Sequence, residues 1–159
     1  MNRQQRIAKA TGQTFDVCII GGGITGAGLL ANAMERGWSA VLIERNDFAS
    51  GTSSRSSKMI HGGLRYLQYL QFKLVRESLL ERGHLLKKFQ DLVRPFPYIL
   101  PSYHSKLDLI VKDMVLTIYD KLAGKSIVPP HQKLSRQQVL EKLPGFKSEG
   151  LKGGIYYWD

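Results

Sequence analysis

Residues 15–48 read FDVCIIGGGITGAGLLANAMERGWSAVLIERNDF, and this stretch decides the fold. Residues 15–20 form an apolar, β-branched run that stops at three glycines, which predicts a strand buried on both faces. Residues 24–36 are small or helix-forming and precede Gly37, so they predict a helix that ends there. Residues 39–44 predict a second buried strand. Two parallel strands with a crossover helix form a right-handed βαβ unit, so the predicted fold class is α/β.

The turn between the first strand and the helix has the spacing G-x-G-x-x-G, and an acidic residue ends the next strand. This context is typical of Rossmann-like dinucleotide-binding domains: the glycines allow a tight turn, close approach of pyrophosphate and close helix packing. The helix N-terminus offers N–H groups to phosphate, and the acid accepts hydrogen bonds from a ribose. The fingerprint alone does not separate FAD from NAD, and a glycine-rich turn without a ligand is the alternative. The predicted contacts are Gly21, Gly23, Ile24, Thr25, Gly26, Glu44 and Arg45.

The bulk composition fits a folded domain with an anionic partner. The chain has 159 residues and a formal net charge of +10, which indicates a phosphorylated molecule, an acidic membrane surface or nucleic acid. No nucleic-acid motif is present, so we expect no nucleic-acid partner. The polar residues 1–14 predict a flexible N-terminal arm, followed by one domain over residues 15–159. Cys18 is the single cysteine, which fits a reducing, cytoplasmic location.

The rest of the chain alternates helices with short strands. Apolar residues between Leu107 and Leu122 recur at helical spacing, and Ser135 is a good N-cap. Three histidines, His84, His104 and His131, lack the spacing of metal ligands and are interpreted as surface or structural residues. The patterns predict a helix over residues 71–89, an edge strand within 93–104, a helix over 105–124, a short helix between 135 and 144, and a strand over 153–159.

A second polar segment, TSSRSSKMIHGGLRYL, covers residues 52–67 and follows the second strand. Ligands bind at the carboxyl ends of strands in open α/β sheets, so this loop is placed to contact a cofactor. Its hydroxyls and its lysine are suited to phosphates and a ribityl chain, and its adjacent glycines allow a flat ring to approach. The arginine is a planar fork suited to phosphate. The donors are Thr52, Ser53, Ser54, Ser56, Ser57 and Lys58, followed by Gly62, Gly63 and Arg65.

At these residues the chain resembles the N-terminal part of the FAD-dependent, quinone-linked (aerobic-type) glycerol-3-phosphate dehydrogenases. The similarity is carried by FDVCIIGGGITGAG, ERNDFASGTSSRSSKMIHGGLRYLQ, KLVRESLLERGHLLK and PYILP. The resemblance implies a glutathione-reductase-type FAD-binding fold with FAD as cofactor. It implies that the fingerprint glycines and Glu44 contact FAD and that residues 52–58 embrace it. It also implies that His61, Gly62 and Gly63 lie near the flavin ring and that Arg65 and Tyr66 bind the substrate phosphate.

By the same resemblance, the reaction is the oxidation of sn-glycerol 3-phosphate to dihydroxyacetone phosphate, with electrons passed through flavin to quinone. The catalytic base is unknown, and His61 is a weak candidate. Enzymes of this family are several times longer, so we expect an N-terminal fragment of the FAD-binding domain, incomplete at its C-terminus and inactive alone. A flavin amine or amino-acid oxidase and a non-catalytic nucleotide-binding remnant are the alternatives.

The helical region 103–143 allows two interpretations. Lysines flank the apolar residues of its long helix, as in amphipathic helices that lie on anionic membranes. This interpretation implies a peripheral contact with the inner face of the cytoplasmic membrane. Asp108, Asp113 and Asp120 dilute the positive charge, and a helix packed on the domain core is the alternative.

Overall fold

The computed structural model describes residues 2–159 and divides the chain into two compact units. The first unit ends at Met59 and the second begins at Ile60, so the boundary falls inside the serine-rich segment. The prediction of one domain over residues 15–159 stays a prediction. The hydroxyl-rich half of the segment folds with the βαβ unit, whereas the glycine-rich half folds with the helices that follow.

The first unit contains the predicted βαβ arrangement. Strands β1 (Val17–Ile20) and β2 (Ala40–Ile43) are parallel, with Val17 opposite Ala40 and Ile20 opposite Ile43. Helix α2 (Ile24–Glu35) connects them and packs on both strands. The α/β fold class and the order of these elements are confirmed.

The prediction that both faces of these strands are buried is wrong for this unit. Ile19 is 6% exposed beneath α2, whereas Ile20 is 88% exposed and Ile43 is 54% exposed. Successive side chains of a strand point to opposite faces, and within the described part of the first unit only one face has a helix packed on it. The exposed face is of the kind that parallel sheets normally cover with further helices.

The N-terminal residues form a helix rather than a flexible arm. Helix α1 (Arg3–Thr11) follows Asn2, whose side chain accepts from the N–H of Gln5, while the Gln5 side chain accepts from the N–H of Asn2. This reciprocal pair is a capping box, which satisfies free N–H groups at a helix start. None of the residues of α1 is buried, so local hydrogen bonds rather than tertiary packing hold this helix.

The second unit combines three helices with an antiparallel sheet of order β3-β5-β4. The helices and strands that the sequence predicts from residue 71 onward are confirmed, and β3 lies at a sheet edge as expected. The short strand β4 is an addition, because its polar residues give no apolar run. The elements are α3 (Phe72–Lys88), β3 (Pro97–Ser102), α4 (Lys106–Ala123), β4 (Gln132–Ser135), α5 (Arg136–Lys142) and β5 (Gly153–Trp158).

The core of the second unit lies between α3 and α4. Val75, Leu79 and Tyr119 are at most 2% exposed and belong to one apolar cluster, and Leu116 is also fully buried. A smaller cluster under α5 is formed by Leu134, Val139 and Leu151.

Helix α4 has apolar residues on two sides. One side carries the buried Leu116 and Tyr119. The other side is exposed, and we call it the α4 stripe: Leu107, Ile110, Val111, Met114 and Ile118 are between 38% and 68% exposed. One side of α4 therefore packs on the core, and the other side exposes apolar residues. Among the described residues, no helix has the length and apolar character needed to cross a membrane.

The difference between the two sides of α4 predicts the cost of truncation. Leu116→Ala should lower the free energy of unfolding by roughly 2–5 kcal/mol, because it leaves a cavity at a fully buried position. Leu107→Ala, at a position 68% exposed on the same helix, should change it by about 0.5 kcal/mol or less. Urea denaturation of both variants measures this, and equal effects would contradict the packing described for α4.

Candidate functional site

The glycine turn of the first unit continues directly from β1. The N–H of Gly21 donates to the carbonyl of Ile43 over 2.8 Å, which extends the parallel pairing by one residue. Gly21 has a φ of 105°, which residues with a side chain rarely adopt. A Cβ on Gly26 would overlap the carbonyl oxygen of Gly21, so only glycine lets α2 begin this close to the strand. Both roles agree with the fingerprint.

Glu44 folds back onto this turn. Its Oε2 accepts a hydrogen bond of 2.8 Å from the N–H of Gly22, and its Oε1 accepts one of 2.8 Å from the N–H of Asn46. These two N–H groups lower the pKa of Glu44 below its ordinary value, with the Asn46 contact the larger cause. A carboxylate oxygen accepts more than one hydrogen bond, so both oxygens retain capacity for a ribose hydroxyl.

Ser53 lies at the N-terminus of α2. The N-cap residue Gly23 has no side chain, and the hydroxyl of Ser53 accepts a hydrogen bond of 2.9 Å from the N–H of Ile24 instead. A Cβ on Gly23 would lie 3.0 Å from the same hydroxyl oxygen. Because the hydroxyl accepts through a lone pair, its proton remains available to a phosphate oxygen. Ser53 of the serine-rich loop therefore contacts the helix start that follows the glycine turn, and joint binding of a cofactor by the loop and the turn stays a prediction.

The other residues predicted to contact a dinucleotide are exposed. The hydroxyl of Ser56 accepts a hydrogen bond of 3.1 Å from the N–H of Lys58, which has a φ of 58°. The side chains that remain accessible to a ligand are those of Thr25, Arg45, Thr52, Ser54, Ser56, Ser57 and Lys58. Their contact with a cofactor stays a prediction.

The remaining predicted residues belong to the second unit. Gly62 and Gly63 are buried, and the N–H of Gly63 donates to Nδ1 of His61 over 3.0 Å. In the neutral ring this leaves the proton on Nε2, so His61 can donate a hydrogen bond from that atom. Arg65 and Tyr66 lie in the short 3₁₀ helix that follows, and both are exposed.

Sequence reasoning missed two residues beside the glycine turn. The amide of Gly22 is the group that Glu44 accepts from, and the ring of Phe48 lies 2.5 Å from where a Cβ on Gly22 would be. A side chain at the middle glycine of the three would therefore displace the ring of Phe48, although the fingerprint leaves that position open. An aromatic residue four positions after the acid is the one signal in the sequence, and it is a weak one.

Comparison with known proteins identifies the family of this chain. The sequence pattern of the family described as FAD dependent oxidoreductase matches residues 16–159, which is nearly the whole chain. The chain belongs to this family of FAD-dependent oxidoreductases. The family-level resemblance predicted from the sequence is confirmed.

Two curated members of the family illustrate the extent of the match. The glycerol-3-phosphate dehydrogenase of Mycobacterium leprae is 45% identical over 148 residues, which cover 92% of this chain and 25% of the relative. The aerobic glycerol-3-phosphate dehydrogenase of Staphylococcus haemolyticus is 42% identical over 158 residues, which cover 99% of this chain and 28% of the relative. The chain thus spans about a quarter of the length of these relatives.

Two solved structures share the fold of this chain. The glycerol-3-phosphate dehydrogenase from Bacillus halodurans, complexed with FAD, has a TM-score of 0.67 and 31% identity, covering 98% of this chain and 23% of that chain. The L-α-glycerophosphate oxidase from Mycoplasma pneumoniae, with FAD bound, has a TM-score of 0.61. The second match covers 92% of this chain and 38% of that chain at 19% identity, so its likeness is one of fold alone.

The residues of the first unit fit an FAD dinucleotide. The N-terminal turn of α2 and the hydroxyl of Ser53 are suited to the pyrophosphate, and the carboxylate of Glu44 is suited to the adenosine ribose. The glycine at position 23 leaves room for a phosphate at the start of α2. The fit depends on these three groups, which lie around one turn.

The lowered pKa of Glu44 predicts how this turn responds to acid. Because the folded-state pKa lies below the ordinary value of 4.5, the contact with Gly22 is complete above that value and is lost as the pH falls through the folded-state pKa. NMR of the Glu44 side-chain carbon and the Gly22 amide should give one shared midpoint below 4.5. In Glu44→Gln the Gly22 amide should no longer follow that titration. A midpoint at or above 4.5 would contradict the geometry.

Proposed function

We propose that this chain supplies the FAD-binding turn and the phosphate-binding segment of an enzyme that oxidises sn-glycerol 3-phosphate to dihydroxyacetone phosphate. The proposal depends on one observation, the exposed side chain of Arg65. Only Leu64 separates this residue from the buried Gly62–Gly63 turn. Within residues 2–159 its guanidinium has no hydrogen-bond or ion-pair partner, so it is free to bind a phosphate. Curated relatives at 42–45% identity are named for glycerol 3-phosphate or glycerophosphate.

Different residues of the chain bind the cofactor and the substrate. Bound FAD supplies the two-electron oxidising capacity, while C2 of the substrate loses a hydride and its hydroxyl loses a proton. Ser53, Glu44 and the N-terminal turn of α2 hold the dinucleotide. Arg65 binds the substrate phosphate through its planar fork, and Tyr66 adds a hydroxyl beside it. Holding the phosphate restricts the orientations that C2 can take, which is a positioning contribution to the rate.

The geometry favours a donor role for His61. Its Nδ1 accepts from the N–H of Gly63, and in the neutral ring the proton therefore lies on Nε2. Such a ring can donate to the substrate hydroxyl or its developing carbonyl oxygen, but its one lone pair is already engaged. His61 acts as the base only if the contact with Gly63 is released, so we assign it the donor role and leave the base unassigned.

The electron acceptor that we propose is a membrane quinone, with the chain on the inner face of the cytoplasmic membrane. The α4 stripe supports this, because it is an apolar surface on a helix that also packs on the core. Lys106 precedes the stripe and Lys121 follows it, and both are exposed. Two of the three acids of α4 pair with lysines of the unit: Asp108 with Lys112 at 2.7 Å and Asp113 with Lys133 at 2.9 Å. The third, Asp120, contacts the ring of His131 at 2.7 Å. An apolar stripe with exposed lysines is suited to an anionic bilayer.

An absorption spectrum tests the cofactor and substrate together. The chain is incubated with FAD, gel-filtered and scanned, both alone and co-expressed with the remaining three quarters of the Staphylococcus haemolyticus relative. We expect retained flavin bands in the co-expressed form, bleached by glycerol 3-phosphate and not by glycine or proline. Bleaching by an amino acid would favour an amine oxidase, and absence of flavin from both preparations would favour a non-catalytic remnant. Arg65→Lys should raise the half-saturating substrate concentration at least about tenfold, whereas the matched exposed control Arg94→Lys should not.

Flotation with lipid vesicles tests the membrane contact. The chain should float with vesicles that contain phosphatidylglycerol and remain behind with phosphatidylcholine alone. Met114→Glu, in the α4 stripe, should abolish flotation, because it puts a charge at a position 60% exposed within the apolar surface. Leu92→Glu makes the same kind of change at an exposed apolar residue outside the stripe and should have no effect. Equal flotation of the two variants would remove α4 from the proposed contact.

A further inference from the structure

A carboxylate lies buried beneath the Gly62–Gly63 turn. The side chain of Asp159 is 5% exposed and forms an ion pair with Arg82, whose side chain is 4% exposed. Its Oδ2 accepts a hydrogen bond of 2.8 Å from the hydroxyl of Tyr119. Its Oδ1 accepts one of 3.3 Å from the backbone N–H of Gly62, which lies 97 positions earlier in the sequence. Groups from α3, α4 and the turn therefore meet at one side chain.

We propose that Asp159 is a positioning residue that sets the conformation of the Gly62–Gly63 turn and, through it, the placement of His61 and the Arg65–Tyr66 segment. The catalytic meaning of this role rests on the function proposed above. The positioning itself follows from contacts within the second unit alone.

The Gly62–Gly63 turn packs closely against the residues that contact Asp159. A Cβ on Gly62 would lie 2.5 Å from the hydroxyl oxygen of Tyr119 and would overlap the side chain of Leu79. The backbone of Gly62 therefore rests directly on the groups that hold Asp159. A shift of that carboxylate or of the Tyr119 ring therefore moves the backbone of the turn. Gly62 has no side chain that could move in its place.

Hydrogen bonds connect the Gly62–Gly63 turn to the predicted site residues His61 and Tyr66. The N–H of Gly63 donates to His61, and its carbonyl accepts from the N–H of Tyr66 over 2.8 Å. The ring of Tyr66 lies over Gly63, 2.6 Å from where a Cβ would be. The tautomer of His61 and the direction of Tyr66 thus depend on the orientation of these two peptide groups.

The charges of the network explain why a carboxylate is needed at this position. The Arg82 guanidinium is buried, and within residues 2–159 no acceptor reaches its Nε. Asp159 is therefore its main compensation, together with the Trp158 carbonyl at 3.4 Å. Burial and the charge of Asp159 raise the pKa of Tyr119, so its hydroxyl stays protonated and donates. A neutral asparagine at position 159 would leave Arg82 uncompensated and loosen its hold on Gly62.

Amide hydrogen exchange of the full chain without FAD tests the positioning. In Asp159→Asn the Gly62 amide should exchange at least about tenfold faster, relative to the amide of Ile155 in the central strand β5. The imidazole ¹⁵N signals of His61 should shift from the Nε2–H tautomer toward a mixture. Asp113→Asn removes another ion pair of the same unit, with Lys133, and should leave both signals unchanged.

A purely structural role would accelerate the amides of Gly62 and Ile155 equally and leave the His61 tautomer unaltered, and that result would overturn the proposal. If Asp159→Asn does not fold, Tyr119→Phe decides, because it keeps the ion pair and removes one hydroxyl. It should accelerate Gly62 exchange at least about threefold, and an unchanged rate would refute the positioning. Since the measurement needs neither FAD nor turnover, loss of flavin retention would count against the proposed function and not against this network.

Discussion

The close approach of α2 to β1 is the constraint on which the first unit depends. Gly26 packs against the carbonyl of Gly21, and no larger residue fits there. This approach brings the first turn of α2 to the end of the sheet, so that the N–H of Ile24 faces Ser53. It also brings the amide of Gly22 within reach of Glu44. A helix start and a carboxylate from the next strand thus converge on one turn, and this convergence makes the turn suitable for a dinucleotide.

The second unit depends on a different interaction, the buried pair of Arg82 and Asp159. Two charges removed from water are costly unless they are paired and hydrogen-bonded, and here the Tyr119 hydroxyl and the Gly62 amide complete the set. The pair joins α3 to the end of β5 at the point where the glycine turn rests. The same contacts therefore stabilise the packing of the unit and set the shape of its candidate site.

The two units carry complementary chemistry. Hydroxyl, carboxylate and helix-terminal N–H groups suited to a dinucleotide belong to the first, whereas Arg65, Tyr66 and His61 belong to the second. Each also has an exposed apolar surface, around Ile20 and Ile43 in the first and along the α4 stripe in the second. The chain spans about a quarter of its curated relatives, and sheets and helices of this kind are normally covered on both sides. The first surface is of the kind that parallel sheets normally cover, and the second is the one that we propose for the membrane contact.

The sequence by itself determined the βαβ unit, the long helices and the glycine turn, because these depend on local periodicity and on residues such as Gly21 and Gly26 that have few substitutes. It also singled out Glu44 through the fingerprint and Ser53 through the serine-rich loop, and the structure places both in contact with the backbone around the glycine turn, while their contact with a cofactor stays a prediction. It did not reveal which strand face is exposed, the capped helix α1 or the unit boundary inside the serine-rich segment. Only the tertiary structure joined Asp159 to Gly62, Arg82 and Tyr119, because contacts between residues far apart in the chain leave no periodic pattern. Burial, and not residue type, turns that aspartate from an ordinary polar residue into the partner of a buried arginine.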